Sequence, residues 1–224
     1  MNTQNTIAGL PRDLFNVAVR FAAYTALLVV GYGLLPEAVV HGDIYAFKEG
    51  GFVEWCQLAI LAVTAGVFAF AAWRIRAFRQ WFSFLALAAT LACMREFDSF
   101  FDALLPLFGW QTPAFVVLAC MLFVLWRSRR QIVTQAGTFV RWRGFALLWA
   151  GFVVVVVFAQ LVGHSAFLEA LMGDDYVRDY KRVIEELGEL FGYALMLAGS
   201  IETFVDALAF RRGASHASPP PRHQ

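Results

Sequence analysis

The chain has 224 residues, of which 60% are hydrophobic and 16% aromatic, and its formal net charge is +1. Its mean hydropathy of +0.61 lies above the range of ordinary soluble domains, so a simple globular domain is excluded. Nucleic-acid binding is not expected either, because the tryptophans beside arginines, Trp73, Trp126 and Trp142, match the aromatic belt of membrane proteins.

Six apolar stretches follow one another along the sequence. They lie at about 14–35, 52–73, 81–100, 112–126, 144–163 and 187–209. Most are close to the roughly 17–25 residues that a helix needs to cross a bilayer. The fourth is the shortest, so it would have to tilt, begin within the preceding loop, or enter the membrane and return on the same side.

These stretches predict an all-α integral membrane protein, a six-helix transmembrane bundle at 1–210. No clear small-residue cleavage site follows the first stretch, so it is predicted to be an anchor and not a removed signal peptide. Residues 211–224 are rich in proline and small polar residues, and they predict a disordered cytoplasmic tail.

The basic residues predict which way the chain faces. Thirteen of the 18 lysines and arginines fall near the two termini or in the connections at 74–79 and 127–143. Because arginine-rich segments stay on the cytoplasmic side, both termini are predicted to be cytoplasmic and the protein to lie in the inner (plasma) membrane. Fourteen of the 17 acidic residues then fall on the outer side. Insertion rules do not explain these acids, because acidic residues contribute little to orientation.

Cysteines and histidines give no sign of a structural metal site. Cys56, Cys93 and Cys120 all lie inside predicted spans, so we expect them to be packing residues. Cys56 and Cys93 fall at similar depth, and a pair between them stays open. Beside the predicted membrane region, His41 and His164 lie on separate loops, so a three-histidine zinc hydrolase site is not supported.

Acidic residues recur at the outer ends of the second, third and sixth spans. A helical rise of about 1.5 Å per residue places them at the outer membrane boundary or just below it. We predict that they form one site, because so few helices leave little room to keep them apart. Its predicted members are Glu54, Arg95, Glu96, Asp98, Glu185, Glu186 and Glu189.

Arg95 is the one immersed cation expected among these acids. A charge at mid-bilayer costs about 2.5–3.5 kcal/mol on insertion scales, so such residues face the bundle interior and find partners. One guanidinium can hold one or two carboxylates, and the surplus must be met by a bound cation, by protons or by water. The pattern therefore predicts a cation or proton site in which Glu54 and Glu189 are direct ligands or proton acceptors. A metal cation is the candidate cofactor.

A second charged group lies on the inner side. Helical rise places Arg20 and Glu202 each about 12–13 Å from the inner boundary, and Asp206 follows Glu202 by one turn. We predict an Arg20–Glu202 pair with Asp206 below it, which would fix the register of the bundle. The alternative makes Glu202 the second station of a proton path from Glu189, with water filling the gaps between them.

The sixth span also contains Gly188 and Gly192, a GxxxG pattern that lets another helix approach closely. We expect that helix to belong to the same chain, and the alternative is a seam between two copies.

Two functions of different classes fit these patterns. One is an outer-facing cation or proton site that serves transport or sensing. The other is a non-enzymatic scaffold or assembly subunit, in which the same charges are clamps and the outer acids meet a membrane-protein partner or a second copy. An intramembrane hydrolase is third. No residue is assigned a catalytic role, because the sequence has no nucleophile elbow, HExxH, P-loop or dinucleotide motif, and a protein that is not an enzyme is favoured.

Overall fold

The structure, a computed structural model, describes residues 12–40, 44–48, 50–104 and 109–216. Within these ranges the chain is helical apart from short turns. It divides into two units, residues 1–44 and 45–224.

The first unit is built on one helix, α1 (Arg12–Val40). Its apolar part, Asn16–Gly33, is 18 residues long with a mean hydropathy of 1.2, which is enough to cross a bilayer. The Thr25 hydroxyl donates to the carbonyl of Phe21 at 2.9 Å, so this polar side chain is satisfied within its own helix.

The second unit contains the other five segments that are long and apolar enough to cross a bilayer. Four of them are or include the helices α2 (Phe52–Arg74), α3 (Arg79–Glu96), α5 (Gln111–Phe139) and α9 (Arg178–His216). The remaining segment, which comes before α9 in the chain, begins as α6 (Arg143–Val153), continues through a π-helical segment (Val154–Ala159) and ends in one further turn, α7 (Gln160–Val162). The connections contain the short helices α4 (Asp98–Leu104) and α8 (Ser165–Met172).

Successive spans of this unit run in opposite directions, so its two ends differ in charge. α2 packs against α3 and α9, α3 packs against α5, and α9 packs against α6 and the π-helical segment. We call the end that holds Glu54, Glu96 and Glu189 the acidic end. The opposite end, which holds Arg130 and Arg143, is the arginine-rich end.

Aromatic residues form the core of the arginine-rich end. α2 ends where the Ile75 amide donates to the carbonyl of Ala71 at 2.8 Å, and a 3₁₀ turn (Arg76–Phe78) leads into α3. This tight turn places Phe78 in the core, with its ring centroid 4.8 Å from that of Trp142. The core therefore holds the connection between two spans against the start of α6.

The structure confirms the all-helical class and the six segments that are long and apolar enough to span a membrane. The fourth segment differs from its predicted range of 112–126. It is one 29-residue helix, α5, which lengthens at its C-terminal end through the arginines instead of starting earlier. A kink at Ser128 divides it, with φ −122° and ψ 18°.

Two further boundaries change the expected surroundings of the acids. α3 ends at Glu96 and α4 begins at Asp98, so a break separates Asp98 from Arg95 where one span at 81–100 was expected. α9 begins at Arg178 and ends at His216, which makes the start of the predicted tail helical. Residues 217–224 of that tail lie outside the described residues.

Glycines let α6 and α9 pack almost backbone to backbone. A Cβ added to Gly192 would lie 2.9 Å from the carbonyl oxygen of Gly151, and one added to Gly188 would lie 3.0 Å from the Cβ of Ala159. A Cβ on Gly144 would overlap the backbone amide of Thr203. The GxxxG pattern therefore packs inside this chain, as expected, and Gly144 and Gly151 on the facing helix complete the seam.

Candidate functional site

Arg95, in the last turn of α3, is the centre of the acidic end. Its Nη2 donates to Oε1 of Glu189 on α9 at 2.8 Å, and its Nε lies 3.2 Å from Oε1 of Glu96. The Arg95 side chain is 50% exposed, whereas the side chains of Glu96 and Glu189 are only 9% and 6% exposed. One half-exposed cation therefore pairs with two nearly buried carboxylates. The carboxylates have lost most of their contact with water and depend on this pairing, whereas the exposed part of Arg95 still contacts water.

Tyr193 completes the binding of Glu96. Its hydroxyl donates to Oε1 of Glu96 at 2.7 Å, and the residue is only 3% exposed. Tyr193 follows Glu189 by one helical turn, so both lie on the same face of α9. Tyr193 is absent from the predicted site, although its four-residue spacing from Glu189 is a signal that could have found it.

Gln57 joins α2 to α9 through a second buried contact. The residue is 0% exposed. Its Nε2 donates to the backbone carbonyl of Glu186 at 3.1 Å and to Oε2 of the same residue at 2.9 Å. Glu186 is thus held by an amide and not by a cation, unlike Glu96 and Glu189.

The other half of the Gln57 amide has no partner. Its Oε1 is buried and receives no hydrogen bond from the described residues. Turning the amide over would not help, because the Glu186 carbonyl can only accept and requires the nitrogen on its side. Gln57 therefore presents an unused acceptor beside a carboxyl group, and such a group is costly unless something donates to it.

Gln160, which comes directly after the π-helical segment, is the second amide side chain of the site. Its Nε2 lies 3.2 Å from Oε1 of Glu189 and 3.4 Å from Oε1 of Glu185. One extra residue in a helical turn rotates everything after it by about 100° around the axis. The π segment therefore decides that Gln160 faces α9, and an ideal helix drawn from the sequence would have placed it elsewhere.

Glu54, Glu185 and Asp98 are the remaining predicted members. Glu54 accepts a hydrogen bond from the amide of Gly50 at 2.8 Å, at the start of α2. Gly50 has φ +74°, a conformation that favours glycine. Glu185 lies 3.8 Å from Lys181, one turn earlier in α9. Asp98 is exposed at the start of α4.

The chemistry of the centre is that of surplus negative charge. Glu96, Glu186 and Glu189 share one guanidinium, one phenol and two amides. Within the described ranges, no group of three or more His, Cys, Asp or Glu side chains has the geometry to hold a metal ion. Cys56, Cys93 and Cys120 are free thiols, so the open Cys56–Cys93 pairing is not formed.

At the arginine-rich end, Asp206 has a partner that the sequence does not predict. The backbone amide of Arg143 donates to its Oδ2 at 2.9 Å, and Nη2 of the same residue donates to Oδ1 at 2.8 Å. Asp206 is 8% exposed, while the Arg143 side chain is 49% exposed. Asp206 thus binds the first turn of α6, whose amides have no partners inside the helix.

Glu202 is fully buried one turn before Asp206, beside the buried hydroxyl residues Ser200 and Thr203. Those hydroxyls donate to carbonyls of their own helix, at 2.7 Å in each case. Arg20 lies in the first unit, on α1, so the Arg20–Glu202 pair stays a prediction.

No family model, curated protein or solved structure matches this chain.

Proposed function

We propose that this chain is a multi-pass protein of the inner (plasma) membrane, with six spans and cytoplasmic termini, and that its acidic end binds a proton for transport or sensing. Six helices long and apolar enough to cross a bilayer support the insertion. The concentration of arginines at one end supports the orientation.

The observation that carries the proton site is that the contacts described for three neighbouring carboxylates include one cation, which reaches only two of them. Arg95 contacts Glu96 and Glu189, whereas Glu186 is held by the amide of Gln57. Within hydrocarbon, uncompensated negative charge is costly, so a carboxylate without a cation gains from taking up a proton.

Gln57 makes Glu186 the preferred acceptor. A carboxylate offers two acceptors, but a protonated carboxyl group offers one donor and one acceptor. An amide also offers one of each, so the unused Oε1 of Gln57 complements a protonated Glu186 and not an ionised one. A metal cation is less well supported, because the described residues contain no set of three close ligands of the usual types.

Infrared difference spectroscopy on the purified protein in lipid nanodiscs tests this proposal. Moving from neutral to acidic buffer should produce a carbonyl band of a protonated carboxyl group in a buried environment. We expect Glu186→Gln to remove that band and Glu169→Gln, a change at an exposed acid of α8, to keep it. A band of equal size in both variants would assign the proton to another residue and overturn the role of Glu186.

A scaffold is the second candidate, because three of the buried contacts of the site join two helices. Arg95 and Tyr193 connect α3 with α9, and Gln57 connects α2 with α9. The two proposals differ for Glu189→Gln in reconstituted protein. A proton site predicts altered proton uptake with folding kept. A scaffold predicts unchanged uptake with a large loss of thermal stability or of a co-purifying partner.

A further inference from the structure

The kink of α5 lies where apolar sequence gives way to basic sequence. Ser128 leaves the helical region, with φ −122° and ψ 18°, and the helix then continues to Phe139. Trp126 precedes the kink, while Arg129 and Arg130 follow it. A tryptophan next to arginines marks the interface between hydrocarbon and headgroups in membrane proteins.

Gln135 attaches the part of α5 after the kink to the start of α3. Its Nε2 donates to the carbonyl of Ala77 at 2.8 Å, and its Oε1 accepts from the amide of Trp81 at 3.0 Å. Because both halves of this amide are bonded to backbone, the second half of α5 is held in one position. The kink and this attachment together determine the space between α5 and α3.

A cavity of about 750 Å³ opens at the kink. Phe123 and Trp126 line it before the kink, and Arg127, Arg129 and Arg130 line it at and after the kink, with Gln80 from α3. The cavity thus has an apolar wall on the hydrocarbon side and a basic, hydrogen-bonding wall on the other.

The three arginines have no acidic partner among the described residues. All three are exposed, whereas Arg95, Arg143 and Lys181 each pair with an acid. Three guanidinium groups around one cavity repel one another unless an anion lies between them. Arginine forks fit the oxygens of phosphate, to which they donate in pairs.

We infer that this cavity binds the phosphate of an anionic lipid headgroup. The guanidinium groups of Arg127, Arg129 and Arg130 hold the phosphate oxygens, and Gln80 donates or accepts at the polar part of the headgroup. Phe123 and Trp126 contact the upper part of the acyl chains. A free phosphate would use the basic wall alone, so the apolar wall favours a lipid as its source.

This inference uses the proposed membrane insertion but not the proton site. The cavity lies at the arginine-rich end, so its variants leave Glu186 and Gln57 untouched. Failure of lipid binding would therefore leave the proton proposal unaffected, and loss of the infrared band would leave the lipid site unaffected.

Native mass spectrometry of the full-length protein in detergent is the first test. We expect dioleoylphosphatidylglycerol to be retained and to raise the melting temperature, whereas dioleoylphosphatidylcholine and inorganic phosphate do neither. Equal retention of the zwitterionic lipid would overturn the charge argument. A melting temperature that rises as much with inorganic phosphate would show a phosphate site without lipid and overturn the choice of ligand.

A charge-matched pair of triple variants is the second test. Replacing Arg127, Arg129 and Arg130 with Gln should weaken phosphatidylglycerol binding on the order of a hundredfold at low salt, since each basic residue near an anionic surface contributes about fivefold. Replacing Arg74, Arg76 and Arg141, three exposed arginines outside the cavity, should weaken it less than about threefold, because these guanidinium groups do not contact the bound phosphate and no extended anionic surface is present in detergent. Equal losses would show general electrostatic attraction and overturn the site.

Should the cavity triple variant fail to fold, replacement of the same three residues with Lys keeps the charge and removes the paired donors. This variant should bind the lipid about tenfold more weakly than the wild type. Unchanged binding would show that point charges suffice and would contradict a fitted phosphate site.

Discussion

The two ends of the second unit use charge in opposite ways. At the acidic end, Glu96 and Glu189 are nearly buried between helices and share Arg95. At the arginine-rich end the surplus charge lies on the outside, where Arg129 and Arg130 are exposed, and the nearly buried Asp206 pairs with Arg143. Long arginine side chains reach water or headgroups from a membrane boundary, whereas short carboxylates cannot. We therefore propose different ligands for the two ends, a proton for the acids between helices and a lipid phosphate for the exposed arginines.

Breaking the seam that both ends depend on should have the largest effect. In Gly144→Ala, the new methyl group meets the backbone of Thr203, which cannot move without shifting α9, so we expect a loss of about 3 kcal/mol in the free energy of unfolding. Denaturant titration in mixed micelles measures this loss. Gly66→Ala is the control, because apart from the nearby backbone of its own helix no atom lies within 4 Å of the added carbon, and it should be neutral or slightly stabilising. Equal effects would mean that the close approach is not present in solution.

Removing the acid of the arginine-rich end should cost stability. Asp206→Asn weakens three hydrogen bonds from Arg143 and the partial neutralisation of the α6 N-terminus. Because Arg143 is half exposed, we expect a loss of only about 1–2 kcal/mol. Lys181→Gln is the comparison and should change stability by less than about 0.5 kcal/mol, because the pair with Glu185 is longer, 3.8 Å, and its carboxylate is more exposed than Asp206. Thermal unfolding of both variants in the same detergent gives the ranking, and a reversed order would contradict it.

We expect the Gln57 amide at the acidic end to affect proton uptake more than it affects the free energy of unfolding. Gln57→Leu removes two donated hydrogen bonds to Glu186 but also removes the unpaired Oε1, so the net loss of stability should be about 1 kcal/mol. The same variant should change the infrared signal of proton uptake. If the free energy of unfolding falls by several kcal/mol and the infrared signal is unchanged, the Gln57–Glu186 contact is structural, and the acidic end then holds its charges as the arginine-rich end holds Asp206.

The Arg20–Glu202 pair predicted from the sequence has a separate test. If Arg20 and Glu202 touch, exchanging their charges in the double variant Arg20→Glu, Glu202→Arg should recover about 1 kcal/mol relative to the sum of the single changes. A double-mutant cycle on thermal stability measures this coupling. Additive losses would show that α1 does not bring Arg20 to Glu202.

The candidate site was only partly predictable, and particular residues show why. Arg95, Glu96 and Glu189 were assigned to one depth by counting residues, and the structure brings them into contact. Asp98 was assigned with them on the assumption of one continuous span, but α3 ends at Glu96. Gln160 could not be assigned to the site, because the side of the helix on which it lies depends on a π-helical segment that no sequence pattern predicts.

The sequence by itself determined the number of helices that are long and apolar enough to span a membrane and the unequal distribution of charge, since both depend on composition along the chain and on a fixed rise per residue. Only the tertiary structure decided lateral neighbours: that Glu186 meets Gln57, that Asp206 meets Arg143, and that Gly144 lies against Thr203. The depth of a residue follows from counting residues along its helix. Neighbours depend on the rotation of each helix about its axis, which a kink, a π turn or a glycine seam changes through packing against the rest of the bundle.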